Sequence, residues 1–195
     1  MIDPEIEKFV SEVLRNYANI PDEEMRKATA GMKRVRIKKY AFFIRQGDAE
    51  SAFALVYSGI FRVFCLDVDG NEKTLSFRKA GQFLAGYTPF LKNTDIWYSI
   101  QALTDSEIVS SDFSVYRALE TSHPCWNELI KNYVTNLFIE KERRERSLLL
   151  DDAKTRYLHF LDEFPLLLDQ ISQYHIASYL GITPVSLSRI KSGLN

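Results

Sequence analysis

The chain is poor in cysteine and histidine, the side chains on which many protein metal sites depend. Its two cysteines, Cys65 and Cys125, fall short of the roughly four ligands of an iron–sulfur cluster, so free thiols in a reducing compartment are expected. The histidines, His123, His159 and His175, all follow the barrel predicted below, so a cupin-type metal site has no histidine ligands. The sequence predicts no metal, no cofactor and no enzyme. Haem sensing through one histidine such as His123 stays open, although no other residue favours it.

Long apolar runs and an excess of one charge are also missing. No apolar stretch approaches the roughly 20 residues that cross a bilayer, and the N-terminal residues 1–5 are acidic rather than a basic signal region. We therefore expect a cytoplasmic protein with no membrane partner. The formal net charge of −1 argues against binding nucleic acid by bulk charge but leaves room for a local basic patch. Apolar residues make up 46% of the chain, which is enough for a folded core.

The first half of the sequence has the alternation and turn spacing of an antiparallel β-sandwich. Short strand-like runs begin near Lys33 and are separated by turn residues such as Ser58-Gly59 and Asp69-Gly70-Asn71. The second of these turns is a strong hairpin signal. We predict a β jelly roll within residues 1–111. The alternating basic residues at 33–38 fit a solvated strand face better than a DNA-facing stripe.

A long helical segment follows the predicted barrel. Pro124 suits the first turn of a helix, and apolar residues then recur at helical spacing before a charged stretch at residues 140–146. The apolar face is broad enough to cover the barrel and to pair with a second copy of the chain. We predict a long dimerisation helix within residues 112–150. The residues expected at the dimer contact are Leu129, Ile130, Tyr133 and Leu137.

The C-terminal segment, residues 151–195, has the spacing of a helix-turn-helix. Gly181 suits the left-handed conformation that ends one helix and turns the chain. Ser172 and Thr183 are predicted N-caps, and Pro184 fits the first helical position after Thr183. The apolar anchors predicted between the two helices are Ile176, Ala177, Leu180, Leu187 and Ile190.

The outward side of the second helix is rich in hydroxyls and carries one arginine. Hydroxyls bond phosphate oxygens, and an arginine reaches a guanine edge in a bidentate way. From residue 171 onward the chain has no carboxylate but carries Arg189, Lys191 and His175, so we expect a locally cationic surface. The residues predicted to contact double-stranded DNA are Ser172, Gln173, Thr183, Val185, Ser186, Ser188, Arg189 and Lys191. The alternative is a non-catalytic interaction protein whose terminal helices dock another protein.

This order of barrel, long helix and helix-turn-helix in an α+β chain resembles the Crp/Fnr superfamily of bacterial transcription regulators. Residues 177–184, Ala-Ser-Tyr-Leu-Gly-Ile-Thr-Pro, look most like the small Bacteroidetes-type members. The resemblance covers nearly the whole chain. It implies a cyclic-nucleotide-binding-like barrel, a homodimer, a two-fold pseudo-palindromic DNA site and RNA polymerase as a partner. Arg189 matches the family's base-reading arginine, but Val185 stands where relatives usually carry a base-reading glutamate, so the DNA preference is expected to differ.

The resemblance does not extend to the residues that bind cyclic AMP. Relatives that bind it use a loop glutamate for the ribose and a loop arginine for the cyclic phosphate. Here residues 73–94 contain no carboxylate and residues 79–116 contain no arginine. An unknown apolar or planar effector, with Lys92 as its anion contact, and a cavity filled by its own aromatics are both open. The residues predicted for the effector site are Phe83, Gly86, Tyr87, Thr88, Lys92, Tyr98 and Ser99.

Overall fold

The computed structural model describes residues 2–48, 52–85, 94–165 and 167–193. Within these ranges the chain forms eight strands and seven helices in an α+β arrangement. The strands are β1 (Lys33–Ile37), β2 (Phe42–Ile44), β3 (Ala52–Ser58), β4 (Phe61–Leu66), β5 (Glu72–Arg78), β6 (Phe83–Ala85), β7 (Ser99–Ala102) and β8 (Ser106–Asp112). The helices are α1 (Pro4–Arg15), α2 (Asp22–Ala30), α3 (Phe113–Glu120), α4 (Pro124–Leu150), α5 (Ala153–Glu163), α6 (Gln173–Leu180) and α7 (Pro184–Ser192).

The strands form two four-stranded antiparallel sheets, as the alternating sequence predicts. One sheet has the order β1-β8-β3-β6 and the other has the order β2-β7-β4-β5. Apolar side chains from both sheets, such as Val56, Phe61 and Ile108, are almost completely buried between them. Sheet pairs of this kind bury the inward residues of each strand and leave the alternate residues outside. The predicted jelly roll and the α+β fold class are confirmed.

Strand β1 is the exposed edge of the first sheet, and its basic residues form ion pairs there. Arg34 and Arg36 both pair with Glu107 on β8, with Nη2 of Arg34 at 2.5 Å and Nε of Arg36 at 2.9 Å from its carboxylate oxygens. Val35, the apolar residue between them, is itself 36% exposed. Charged residues on an edge strand discourage pairing with another sheet. The solvated-face interpretation of residues 33–38 therefore fits their position.

The turn between β3 and β4 depends on a close approach at Gly59. Its φ is +94°, and an added Cβ would lie 2.1 Å from Oγ and 2.8 Å from the backbone Cα of Ser106. Gly47 has nearly the same φ, +91°, but nothing lies within 4 Å of the position that its Cβ would take. The two glycines share the backbone strain that a side chain would introduce, and only Gly59 adds a steric clash.

Gly59→Ala is expected to lower the free energy of unfolding more than Gly47→Ala does. The expected difference is about 1–3 kcal/mol, because overpacking usually costs that much. Urea unfolding of both variants, followed by circular dichroism, measures the difference. Gly47→Ala is the matched control because it carries the strain of a positive φ without the clash. Equal destabilisation of the two variants would contradict the close approach to Ser106.

The N-terminal helices join the barrel to the start of α4. Glu24 of α2 is buried and accepts hydrogen bonds from Nε1 of Trp126 and Oγ of Ser122, both at 2.8 Å. Lys27 donates a further bond at 2.7 Å, and these side-chain bonds lower the pKa of Glu24 to about 2. The carboxylate therefore stays ionised at neutral pH and ties α2 to α4.

The structure places the predicted dimerisation residues against the barrel and the N-terminal helices of the same chain. Leu129 is only 5% exposed, Ile130 and Tyr133 pack on the same core, and Leu137 lines a cavity beside the barrel. This apolar face is used within one chain because α4 lies along the barrel. The large apolar side chains of α4 that remain exposed are Val134, Phe138, Ile139, Leu148, Leu149 and Leu150.

Candidate functional site

Helices α6 and α7 form the predicted helix-turn-helix. Gly181 ends α6 in the left-handed conformation with φ +69°. Oγ of Ser172 accepts a hydrogen bond from the backbone N–H of Tyr174 at 3.2 Å, and Oγ1 of Thr183 accepts from that of Ser186 at 3.1 Å. These bonds satisfy backbone donors that a helix start leaves free. The two N-caps and the turn are therefore where the sequence predicts them.

The contact between the two helices uses the predicted apolar anchors. Ala177 is fully buried, and its small side chain lets α7 cross close to α6. Leu187 is 1% exposed and is the central contact of α7. Ile176 and Leu180 are also buried in this contact, and Ile190 is partly buried in it. Because these residues fix the rotation of α7, they also fix which of its side chains face outward.

The outward face of α7 carries the predicted DNA-contacting residues. Val185 is 61% exposed, Ser188 and Arg189 are exposed, and Ser186 and Lys191 are half-buried. Ser172, Gln173 and Thr183 are exposed on the neighbouring surface. Across the part of the chain that the structure describes, neither Arg189 nor Lys191 has an ion pair. The surface thus presents cationic donors that no carboxylate of the described residues neutralises.

Helix α6 docks on the free edge of β5, a contact that the sequence pattern did not reveal. Oγ of Ser178 accepts from the backbone N–H of Thr74 at 2.9 Å and donates to the carbonyl of Glu72 at 3.2 Å. From α4, Nη2 of Arg144 donates to the carbonyls of Thr74 at 3.2 Å and Tyr179 at 2.9 Å. These bonds satisfy backbone groups that an edge strand leaves open. The helix-turn-helix is therefore held against the barrel and against α4.

A fully buried arginine lies at the same junction. Arg62 of β4 pairs with Glu72, bonds the imidazole of His175, and stacks over the ring of Phe64 at 4.0 Å. Burial, reinforced by the charge of Arg62, lowers the pKa of His175 to about 4. The imidazole is therefore neutral at physiological pH and accepts from Arg62. The expected contribution of His175 to a cationic surface is wrong, because its side chain faces the barrel.

A cavity of about 540 Å³ lies between the second sheet and α4. Phe83 and Tyr98 line it, as predicted for the effector site, together with Trp97 and Tyr133. Ser99 has a structural role instead, since it is buried and its Oγ accepts from the backbone N–H of Gln46 at 3.0 Å. The remaining predicted effector residues, which lie outside the described ranges, are Gly86, Tyr87, Thr88 and Lys92.

The cavity also holds an arginine that the sequence pattern missed. Arg78, the last residue of β5, lies one position before the arginine-free stretch 79–116. Its Nη1 donates to the Glu140 carboxylate of α4 at 2.8 Å. Burial raises the pKa of Tyr133, which lines the same cavity, to about 12, so that phenol remains protonated. The sequence offered one signal for Arg78, its position at the end of a predicted strand. That signal does not identify a cavity residue unless the fold is known.

Two kinds of site are absent from the described ranges. No three histidine, cysteine or carboxylate side chains there come together in a way that would hold a metal ion. None of the helices in those ranges has both the length and the hydropathy that a bilayer crossing requires.

Comparisons with known proteins agree with this architecture. Residues 34–121 match the family model of the cyclic nucleotide-binding domain, and a comparison with curated proteins finds no match. The catabolite activator protein of Thermus thermophilus is similar at 23% identity and TM-score 0.59, over 93% of this chain and 86% of that one. The c-di-GMP responsive global regulator CLP of Xanthomonas campestris is similar at 17% identity and TM-score 0.71, over 89% and 91%. FixK2 of Bradyrhizobium japonicum is similar at 19% identity and TM-score 0.72, over 84% of each chain.

The barrel therefore matches the family model of the cyclic nucleotide-binding domain over residues 34–121, and the chain has the fold of these solved proteins. The predicted order of barrel, long helix and helix-turn-helix is confirmed at the level of the fold.

Proposed function

We propose that the chain is a homodimeric DNA-binding transcriptional regulator whose barrel senses a small effector other than cyclic AMP. The observation that carries the proposal is the outward face of α7. Arg189 and Ser188 are exposed there, while Leu187 is buried against α6. A helix held by one apolar face and presenting hydroxyls and an arginine on the other has the geometry of a major-groove reader.

The residue roles follow from position and chemistry. Arg189 reads a guanine edge, and Val185 at the start of α7 makes an apolar contact such as that with a thymine methyl group. The hydroxyls and amide on the two helix starts, together with Lys191, bind backbone phosphates. Those phosphate-binding residues are Ser172, Gln173, Thr183, Ser186 and Ser188. RNA polymerase is the proposed protein partner of the DNA-bound dimer.

The dimer contact is proposed on the face of α4 that the barrel leaves uncovered. Val134 is 38% exposed, Phe138 66% and Leu149 76%. Phe138 follows Val134 by one helical turn, and Leu149 follows about three turns later, so the three side chains form one stripe. Pairing of this stripe with its copy would bury apolar surface that one chain leaves in water. Helix α4 would then contact the barrel with one face and the partner with the other.

Selection of binding sites from a random DNA library with the purified full chain tests the proposal. The enriched sequence is expected to be a two-fold pseudo-palindrome, because a symmetric dimer presents two copies of α7. Its half-site centres are expected about 34–36 Å apart, one turn of the duplex. A library that returns no enriched sequence would contradict DNA recognition and favour the alternative, in which the terminal helices dock another protein.

Cyclic AMP at millimolar concentration is expected to leave the melting temperature unchanged. The loop stretch 73–94 supplies no carboxylate to hold the ribose hydroxyl. A ligand that binds only the folded state must raise the melting temperature by mass action, so differential scanning fluorimetry measures this directly. A saturable rise with cyclic AMP, absent with adenosine, would contradict the expectation.

A further inference from the structure

The described lining of the cavity between the second sheet and α4 includes one ion pair, between Arg78 and Glu140. The Arg78 side chain is 13% exposed and the Glu140 side chain 34%, and they meet at 2.8 Å. Both hydrogen bonds of Arg78 in the described part of the chain leave from Nη1, one to Glu140 and one to the carbonyl of Phe77. Among the described residues neither Nε nor Nη2 has an acceptor, so a second carboxylate can bind them, and its negative charge then repels Glu140 from the guanidinium. A carboxylate is the acceptor whose two oxygens match that pair of donors.

The cavity lining is largely apolar and aromatic, and its other charged side chains, Lys141, Arg144 and Glu145, all belong to α4. Phe83, Ile100, Tyr133 and Leu137 line the cavity together with Tyr98. The hydroxyl of Tyr98 is already used, since it donates to the carbonyl of Ala85 at 2.7 Å, so this residue offers its ring rather than its hydroxyl. Arg78 lies near enough to Tyr98 and Tyr133 for its charge to act on both phenols. A ligand that fits this wall needs a flat apolar body with its charge at one end.

We propose that the cavity binds an aromatic carboxylate, which pairs with Arg78 in place of Glu140. The inference rests on the proposed sensing function and names the chemical class of the effector. The volume of about 540 Å³ lies within the range of small-molecule sites. Before a ligand binds, burying a paired arginine costs less free energy than burying an unpaired one. Glu140 is then both the counter-ion of the empty site and the competitor of the ligand.

The same helix connects this exchange to the helix-turn-helix. Arg144 lies one turn after Glu140 on α4 and donates to the carbonyl of Tyr179 at the end of α6. Its guanidinium also stacks over the Tyr179 ring at 3.9 Å. Release of Glu140 from Arg78 removes a bond that holds this part of α4 to β5. Binding at the cavity therefore acts on the helix that positions α6.

Calorimetric titration of the full chain with 2-naphthoate, and with the neutral 2-naphthamide, tests the proposal. Naphthoate is expected to bind saturably and about 10-fold to 100-fold more tightly than the amide, the range for a hydrogen bond to a charged group. Arg78→Gln is expected to abolish that difference, and Arg78→Lys to restore only part of it because lysine lacks the two-donor fork. Glu140→Gln is expected to tighten naphthoate binding by about tenfold, since the competing charge is removed.

Arg36→Gln is the matched control, because it removes an arginine whose partner, Glu107, lies on the other sheet. Its naphthoate affinity is expected to equal that of the wild type. Equal binding of acid and amide, no binding of naphthoate, or weaker binding by Glu140→Gln would each overturn the proposal. Glu140→Gln keeps the test decisive if Arg78→Gln does not fold. No DNA is present in these titrations, so their failure is distinguishable from a failed library selection.

Discussion

Phe77→Ala is expected to lower the free energy of unfolding by about 3–5 kcal/mol, the usual cost of removing a buried ring. Phe77 is completely buried on β5. Its ring packs against two rings at α5, with centroid distances of 5.9 Å to Phe164 and 6.1 Å to Phe160. It also packs against the ring of Tyr179 on α6, at a centroid distance of 5.4 Å. The truncation therefore leaves a void in the core that the barrel shares with the helix-turn-helix.

Urea unfolding measures the loss, and limited proteolysis shows whether the C-terminal helices are released. Leu66→Ala is the control, because Leu66 lies on the neighbouring strand β4 but is 48% exposed. That variant is expected to change stability by about 0.5 kcal/mol or less, as surface substitutions do. A loss in Phe77→Ala no larger than in Leu66→Ala would show that the barrel and the helix-turn-helix do not share this core.

Arg189→Ala is expected to weaken binding to the selected DNA site by about 1–3 kcal/mol and to remove preference at one base pair. The guanidinium is exposed on α7 and has no ion pair in the described ranges, so it is available to a base edge. Repeating the library selection with the variant measures both the affinity and the lost preference. Fluorescence anisotropy with the wild-type site gives the change in dissociation constant.

Lys191→Ala is the matched control for Arg189→Ala. Removal of a phosphate contact weakens binding to all sequences alike and reduces the salt slope by about one. The two variants therefore separate reading of a base from attraction to the backbone. If Arg189→Ala binds the selected site with wild-type affinity and preference, α7 does not read DNA through this side chain.

Local features of the helix-turn-helix were predictable because they depend on residues close in sequence. The N-caps at Ser172 and Thr183 and the left-handed Gly181 each involve a few consecutive residues. The rotation of α7 followed from the spacing of Leu187 and Ile190 for the same reason. The strand pattern of the barrel was readable as well, since alternation with a period of two is a property of each segment.

Contacts between distant residues were not predictable in this way. Arg62 and His175 are 113 residues apart, and Arg78 and Glu140 are 62 residues apart. No periodicity connects such pairs, because their meeting depends on where α4 and α6 come to lie on the sheet. For this reason the predicted cationic contribution of His175 is wrong, and the sequence pattern alone does not place Arg78 at the cavity.

The apolar face of α4 separates what the sequence determines from what only the tertiary structure determines. The sequence by itself determined that residues such as Leu129 and Tyr133 share one face of a helix, since helical spacing depends only on position along the chain. It could not determine what covers that face, because burial against the same chain and burial against a second copy follow the same pattern. Only the tertiary structure decided that the barrel covers it and leaves Phe138 exposed, because packing places particular surfaces together and the hydrophobic effect has no direction of its own.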